Sequence, residues 1–531
     1  MHPPMAVTPD QEPSAYERVA YPGQAFGQSH PDHLAMVASL YGMKTAPVSR
    51  CRVLELGCGD GSNLVPMAYQ WRDSSFVGID RSARAIETGI GAITELGLRN
   101  VELRQLDILN VTPDLGRFDY VIAHGVYSWV PSGVREKILE IFDANLADYG
   151  VAYLSYNSYP GAYLTDLARG MMLFHVRDQP DPRQKIDQSR GLLAFLADAS
   201  PGDTIYGMVL RAQRERVRAK ADTVVFHDDL AKEVTAFFLY QVVEGAARHG
   251  LQYLADASSP VVEPRMHPAP VARMLDQIPE RELAVREQYL DFVTGRGFRN
   301  TLLCRANVEL RRSVSPACVK NYHLAGRVDL APGTIDPLSS GTVEFNTAAG
   351  SLPTDHPLSK AALLHLGEVW PRAAPFHDLV EQALARLAGA AGPLADARDE
   401  QVEALTTVLF RAFAARHVSL LLHPPPLTTA ISERPEASAV ARYQARTASS
   451  TVTNLCHGAV SMEDDLVRRF LVLVDGTRTV EQLVADLNVG LLRDNRTDTE
   501  RSEAESGHPS VTRESVERNL AMLARLGLLV A

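Results

Sequence analysis

The chain has 531 residues, enough for three or four folded units at roughly 150 residues each. Apolar residues make up 46% and charged residues 22%, a globular composition that excludes a disordered polymer, collagen or a coiled-coil rod. The 53 basic and 64 acidic residues give a net charge of -11, the wrong sign for a protein held to a phosphate backbone by bulk charge.

Five cysteines (Cys51, Cys58, Cys304, Cys318, Cys456) are odd in number and never form a CxxC pair, which points to reduced thiols rather than disulfides or zinc. The N-terminal MHPPMAVTPDQEPSAYERVAYPG has no basic region followed by an apolar stretch, and no later apolar run is long enough to cross a bilayer. A cytoplasmic protein without membrane insertion is expected. Residues 1–15 are polar and proline-rich and read as a loose tail; residues 16–43 are rich in turn formers and then helical from about Pro31.

Between residues 53 and 156 strand, glycine loop and helix alternate. Strands are predicted at 52–56, 75–79, 101–105, 120–124 and 151–155, with helices at 63–70, 83–96 and 134–147. That alternation predicts a doubly wound α/β sheet of Rossmann type. Helical patterns follow at 165–176, 188–197, 207–219 and 230–249, interrupted by strand-like pieces at 250–256 and 300–305 that are expected to return to the sheet as its last strands. A small β-rich connector is predicted over 311–352, with strands at 322–330 and 341–347. Three helices at 358–369, 376–388 and 400–415 precede a strand at 418–422. A second trio lies at 463–473, 480–487 and 511–526, with a mobile polar loop from 493 to 510. Each trio reads as a winged-helix-like α+β module. The expected domains are 1–45 (tail and lid), 46–310 (sheet domain with a helical part at about 165–300), 311–430 and 431–531.

The segment VLELGCGDGSN carries a buried strand into Gly57, Gly59 and Gly61, which let the backbone turn and let a ligand approach a helix N-terminus. The dinucleotide spacing GxGxxG fails because Ser62 stands where the third glycine belongs. Glu55 beside the loop suits a cationic, amino-acid-bearing ligand, and S-adenosyl-L-methionine has that chemistry. Asp80 closes the second strand, where a carboxylate accepts from ribose hydroxyls. Asp107 closes the third, placed for an adenine amino group, with the amide of Ile108 donating to a ring nitrogen. Singly, Asp80 or Asp107 also reads as a helix cap or turn residue; together after the glycine loop they read as a site. Cys58, Asn63 and Arg81 flank these positions and join the candidate cofactor set.

The ends of strands four and five, HGVYSWVP and SYNSYPG, supply candidate acceptor residues His124, Tyr127, Trp129, Tyr156 and Asn157. Aromatic faces favour a sulfonium or ammonium, and Asn157 orients an amine. His124 or a tyrosine is a candidate to take the departing proton, with loss to water as the alternative. Ordinary packing is the competing reading of Trp129, and a structural role that of His124. Neither motif contains Asp or Glu, as a site that must keep a lysine neutral requires.

VLELGCGDG with Asp80 and Asp107 resembles class I S-adenosylmethionine-dependent methyltransferases. The segments AYPGQAFGQSHPDHL, HGVYSWVP, SYNSYPG, FHDDLAKEV, HGLQYLADA and FRNTLLCR are similar to methyltransferases with a methyltransferase regulatory domain, whose best-known members are bacterial lysine methyltransferases acting on outer-membrane proteins. The resemblance implies a lid over the cofactor carrying Tyr21 and His30, a regulatory stretch at about 220–305, His124 in contact with the cofactor as well as the acceptor, and a protein or peptide substrate, a cell-envelope protein included. Lys360, Trp370 and Pro371 are scattered matches in the C-terminal half. The expected function is methyl transfer to nitrogen, a protein lysine first; a small molecule or modified peptide is the alternative acceptor, and a cofactor-sensing DNA-binding regulator is the alternative of another class. Acidic residues on the recognition-type helices argue against nucleic acid. A homodimer is among the expected assemblies.

Overall fold

The computed structural model describes residues 23–329, 335–339, 341–388, 398–447, 450–497 and 511–530. Its centre is a seven-stranded sheet of β1 (Arg52–Leu56), β2 (Ser75–Asp80), β3 (Val101–Gln105), β4 (Phe118–Ala123), β5 (Leu146–Asn157), β6 (Leu251–Asp256) and β7 (Phe298–Arg305), in the order β3-β2-β1-β4-β5-β7-β6. β1 to β5 run parallel, and β7 inserts antiparallel between β5 and β6. The last two strands therefore do return to the sheet. Val53, Leu54 and Leu56 of β1 are fully buried because helices cover both faces, which is why β1 reads as an unbroken apolar run.

Helices Ala162–His175, Pro182–Ala199 and Ile205–Arg218 form a bundle with its own small core around Ala168, Met172, Ile186, Leu193 and Val217. The helix expected over 230–249 is confined to Leu239–Arg248. Before it the chain runs extended beside the end of β5: Phe237 N–H donates to Asn157 O at 3.0 Å, and Tyr159 N–H to Phe237 O at 3.0 Å. Those pairings use the groups a helix would need. Upstream, Val225–Asp229 form a π-helical turn.

In the connector the expected strand over 322–330 is broken into His323–Ala325 and Val328–Asp329, after a 3-10 turn at Pro316–Asn321. His323–Ala325 pairs with Ala374–Pro375 and Ser419–Leu421, completing the small sheet of the first helical trio, Pro357–Val369, Phe376–Leu387 and Arg398–Ala414. This middle module has no separate core. Leu324, Leu363 and Leu409 belong to the same buried cluster as Leu34 and Val37 of helix Pro31–Leu40 and Val53 of β1. Lys360 is fully buried there, its ammonium donating to the carbonyls of Ser339 (2.7 Å) and Gly341 (2.6 Å), a structural clamp. Asp32 completes the seam: it accepts from the backbone of Leu422 and His423 and pairs with the His423 ring at 2.8 Å.

The C-terminal module is built differently. Its helices Asp465–Leu473, Val480–Thr497 and Arg513–Arg525 enclose a separate core around Phe470, Leu483, Leu520 and Leu523. Val480–Thr497 is longer than the expected 480–487, and the rest of the polar loop expected from 493 lies outside the described residues. Two elements were not expected: helix Ala439–Arg446 and the antiparallel hairpin Thr451–Thr453/Ala459–Ser461.

Candidate active site

A cavity of about 1070 Å³ opens at the carboxyl ends of β1 to β4, where open parallel sheets bind their ligands. It lies at the top of the usual small-molecule range of about 300–1000 Å³, ample for a nucleoside-sized ligand. Glu55, Gly57, Cys58, Gly59, Asn63, Asp80, Arg81, Asp107, Ile108, His124 and Trp129 all line it.

The glycine loop leaves β1 with positive φ at Gly57 (73°), Gly59 (56°) and Gly61 (74°), the region glycine alone enters freely. A Cβ on Gly59 would meet nothing within 4 Å, so it would occupy the space a ligand needs. Asp80 ties the loop to β2: Gly59 N–H donates to Oδ2 at 2.9 Å, and Ser82 N–H to Oδ1 at 2.8 Å. Asp107 accepts from Leu109 N–H at 2.9 Å, which fixes the turn after β3. The capping role and the site position thus coexist in the same carboxylates.

Glu55 is 3% exposed; Asn63 donates to its Oε1 at 2.8 Å, whereas Oε2 is buried without a partner among the described residues. Burial pushes this carboxyl up to about 8. A bare buried carboxylate oxygen beside a glycine cradle fits a ligand that brings its own cation.

On the acceptor side, His124 stacks on Phe26 (ring centroids 3.7 Å) and its Nδ1 lies 2.9 Å from the Tyr153 hydroxyl, which donates to Asn300 Oδ1 at 2.7 Å. Burial lowers the His124 pKa to about 4, so the ring is neutral at physiological pH. Trp129 lines the cavity with a buried Nε1 that has no hydrogen-bond partner among the described residues.

Three expected acceptor residues are elsewhere. Tyr156 is fully buried, its hydroxyl 2.9 Å from Thr301 Oγ1, and Tyr127 packs between it and Phe237; neither lines the cavity. For Tyr156 parity along β5 is the reason: it shares a face with Ala152 and Leu154 in the core below the site, while Tyr153 and Ser155 face the residues around His124. Asn157 is engaged through its backbone, N–H to Ser128 Oγ at 2.9 Å, and does not line the cavity. His30 caps its own helix, Nδ1 accepting from Asp32 N–H, and does not line the cavity; Tyr21 lies outside the described residues.

Phe26 and Asp228 also line the cavity; both lie in segments that carry the family resemblance, AYPGQAFGQSHPDHL and FHDDLAKEV, but neither is singled out there as a site residue. Asp228 reaches the cavity from the π-helical turn, so the acceptor region is not free of carboxylates as the two motifs suggested; burial raises its pKa and Lys220 Nζ lies 3.6 Å away.

Three family models match the chain: a methyltransferase domain over 47–181, a predicted methyltransferase regulatory domain over 221–305 and the PKMT C-terminal winged helix domain over 433–527. An uncharacterised protein of Rickettsia prowazekii is 30% identical over 460 residues, 84% of this chain and 81% of the relative. A second from the same organism is 34% identical over 241 residues, 45% of this chain and 96% of that protein. Among solved structures, PKMT2 from Rickettsia typhi is similar with a TM-score of 0.84 at 26% identity, covering 96% of this chain and 100% of that one, and it is also known in complex with AdoHcy. Strand order, glycine loop and these matches define a class I S-adenosylmethionine-dependent methyltransferase. Within that class, the chain belongs to the family of methyltransferases that carry a methyltransferase regulatory domain and a PKMT C-terminal winged helix domain. No helix among the described residues is long and apolar enough to cross a membrane.

Proposed function

We propose that the enzyme methylates the ε-amine of a lysine in a protein. The observation that carries this reading is the extent of the likeness to PKMT2, whose initials denote a protein lysine methyltransferase: it runs through 96% of the chain and so includes the modules beyond the catalytic sheet. Those modules are where one methyltransferase sheet is adapted to one substrate class.

S-adenosylmethionine supplies an electrophilic methyl group on a sulfonium. In this assignment Asp80 accepts from the ribose hydroxyls, Asp107 and the Ile108 amide read the adenine edge, and Glu55 Oε2 receives the ammonium. His124 acts on the acceptor. With Nδ1 engaged by Tyr153, which Asn300 anchors, its Nε2 makes no hydrogen bond among the described residues and is left to accept a hydrogen from the incoming amine. A neutral ring orients a neutral amine for in-line attack, and most of the rate comes from that positioning. Trp129 and Phe26 provide aromatic surface that tolerates a cation without fixing a proton on it.

The test is incubation with isotope-labelled S-adenosylmethionine and separated protein and small-molecule fractions of a cell lysate, followed by mass spectrometry. Label on lysine side chains is the expected result; label confined to small molecules overturns the proposal. In the same assay Tyr153→Phe should lower turnover about tenfold while cofactor affinity stays at the wild-type value.

A further inference from the structure

His457, in the turn of hairpin Thr451–Thr453/Ala459–Ser461, does not line the cavity but contacts Asn63, which does, from far along the chain. It is 2% exposed, and its Nε2 lies 2.9 Å from Asn63 Oδ1. The amide orientation of Asn63 is pinned, because Phe26 N–H donates to the same Oδ1 at 3.0 Å and a backbone N–H cannot accept. That atom is therefore the carbonyl oxygen, and the Asn63 nitrogen is the donor to Glu55 Oε1 and, at 3.1 Å, to Ser29 Oγ. His457 in turn must carry its proton on Nε2. Its Nδ1 is buried without a partner among the described residues, so the Asn63 bond is the ring's one hydrogen bond there, and the His30 ring packs against it with centroids 5.0 Å apart.

The turn is built to keep the ring there. His457 has φ of 58°, the left-handed region that a residue with a Cβ enters only under constraint. Asn454 braces the turn, accepting from Gly458 N–H at 2.7 Å and donating to Leu526 O at 2.8 Å. Leu455 N–H donates to Gly527 O, and its carbonyl accepts from Gln70 Nε2 at 2.9 Å. The tip is thus fastened both to the last helix of its own module and to helix Leu64–Gln70, which follows the glycine loop.

We propose that His457 is a positioning residue of the cofactor site, supplied by the C-terminal module. Through Asn63 it sets the Glu55 carboxylate so that Oε2 faces the ammonium of S-adenosylmethionine, and docking of this module and binding of the cofactor are one coupled equilibrium. Coupling of this kind is reciprocal: what strengthens one strengthens the other. The inference stands on the cofactor site and is independent of which acceptor is methylated.

The test is calorimetric titration of the full chain with S-adenosylhomocysteine, comparing His457→Leu, which fills the space without a donor, with His457→Gln, whose amide can donate to the same oxygen. Thermal unfolding is followed on the same samples. Loss of one buried hydrogen bond to a polar relay predicts binding weaker by about tenfold for His457→Leu and recovery to within about threefold for His457→Gln. Wild-type affinity in both folded variants overturns the proposal. Equal weakening in both also overturns it, since that result assigns His457 a packing role alone.

Discussion

The two C-terminal modules share a helical plan and meet the catalytic domain in opposite ways. The middle module is fused to it: Leu324, Leu363 and Leu409 lie in one apolar cluster with Leu34 and Val53, and helix Pro31–Leu40 is packed into the seam. The last module keeps a core to itself and reaches the catalytic domain through polar contacts such as His457 to Asn63, Gln70 to Leu455, and an ion pair between Arg446 and Glu95. Apolar burial is worth roughly 25 cal/mol per Å², whereas each hydrogen bond of a polar seam nets only about 0.5–1.5 kcal/mol. One module is therefore continuous with the core of the catalytic domain, and the other keeps its own core and joins that domain across a polar seam.

Core truncations break the comparison most strongly. Leu363→Ala should cost about 2–5 kcal/mol and lower the unfolding temperature of the catalytic domain with it. Leu520→Ala, an equally buried leucine in the separate core, should cost a similar amount in its own module and leave the catalytic transition in place. Scanning calorimetry distinguishes them, and a single shared transition for both variants removes the distinction.

The polar seam ends at Glu55, so changing that residue tests whether the seam serves binding rather than stability. Burial raises this carboxyl from 4.5 to about 8. A raised folded-state value means that its contribution to stability is fully present below the unfolded value and is lost as the pH rises through about 8. Glu55→Gln does not titrate, so the cofactor-free variant should melt above the wild type at pH values over 8. Its affinity for S-adenosylmethionine should nevertheless fall about tenfold or more, because an amide replaces the oxygen that meets the ammonium. Melting curves and titration on one preparation check both signs.

The smallest effect is expected at Asp32. Its carboxylate raises the pKa of His423, so the stability from this pair is complete below pH 6.5 and is lost as the pH climbs through the raised value. The ring is about one-third exposed, which limits the pair to about 1 kcal/mol. Asp32→Asn should flatten the pH dependence of unfolding in that window, with cofactor affinity unchanged.

The sheet and the residues that line the cavity at its carboxyl edge were legible because their signals are local: a buried strand, a glycine loop, and carboxylates at the next strand ends. Residues of the acceptor side were harder to place. The motifs offer several aromatics close together, but a strand sends alternate side chains to opposite faces, so buried Tyr153 sits behind His124 while Tyr156 packs into the core on the other face. Had β5 been aligned on Ala152 and Leu154, that parity was readable. His457 was not: strands of three residues have no usable periodicity, and its partner Asn63 is 394 positions away. The break of the expected 322–330 strand into two was missed for a related reason, since His323–Ala325 pairs with segments far along the chain.

Amide hydrogen exchange of the full chain, with and without saturating S-adenosylhomocysteine, tests the distinction between the two modules most directly. If the cofactor site is completed by the docking module, ligand should slow exchange in hairpin Thr451–Thr453/Ala459–Ser461 as well as in the glycine loop, and leave His323–Ala325 of the middle module as it was. Protection confined to the glycine loop and the ends of β2 and β3, with the hairpin unchanged, would contradict the account.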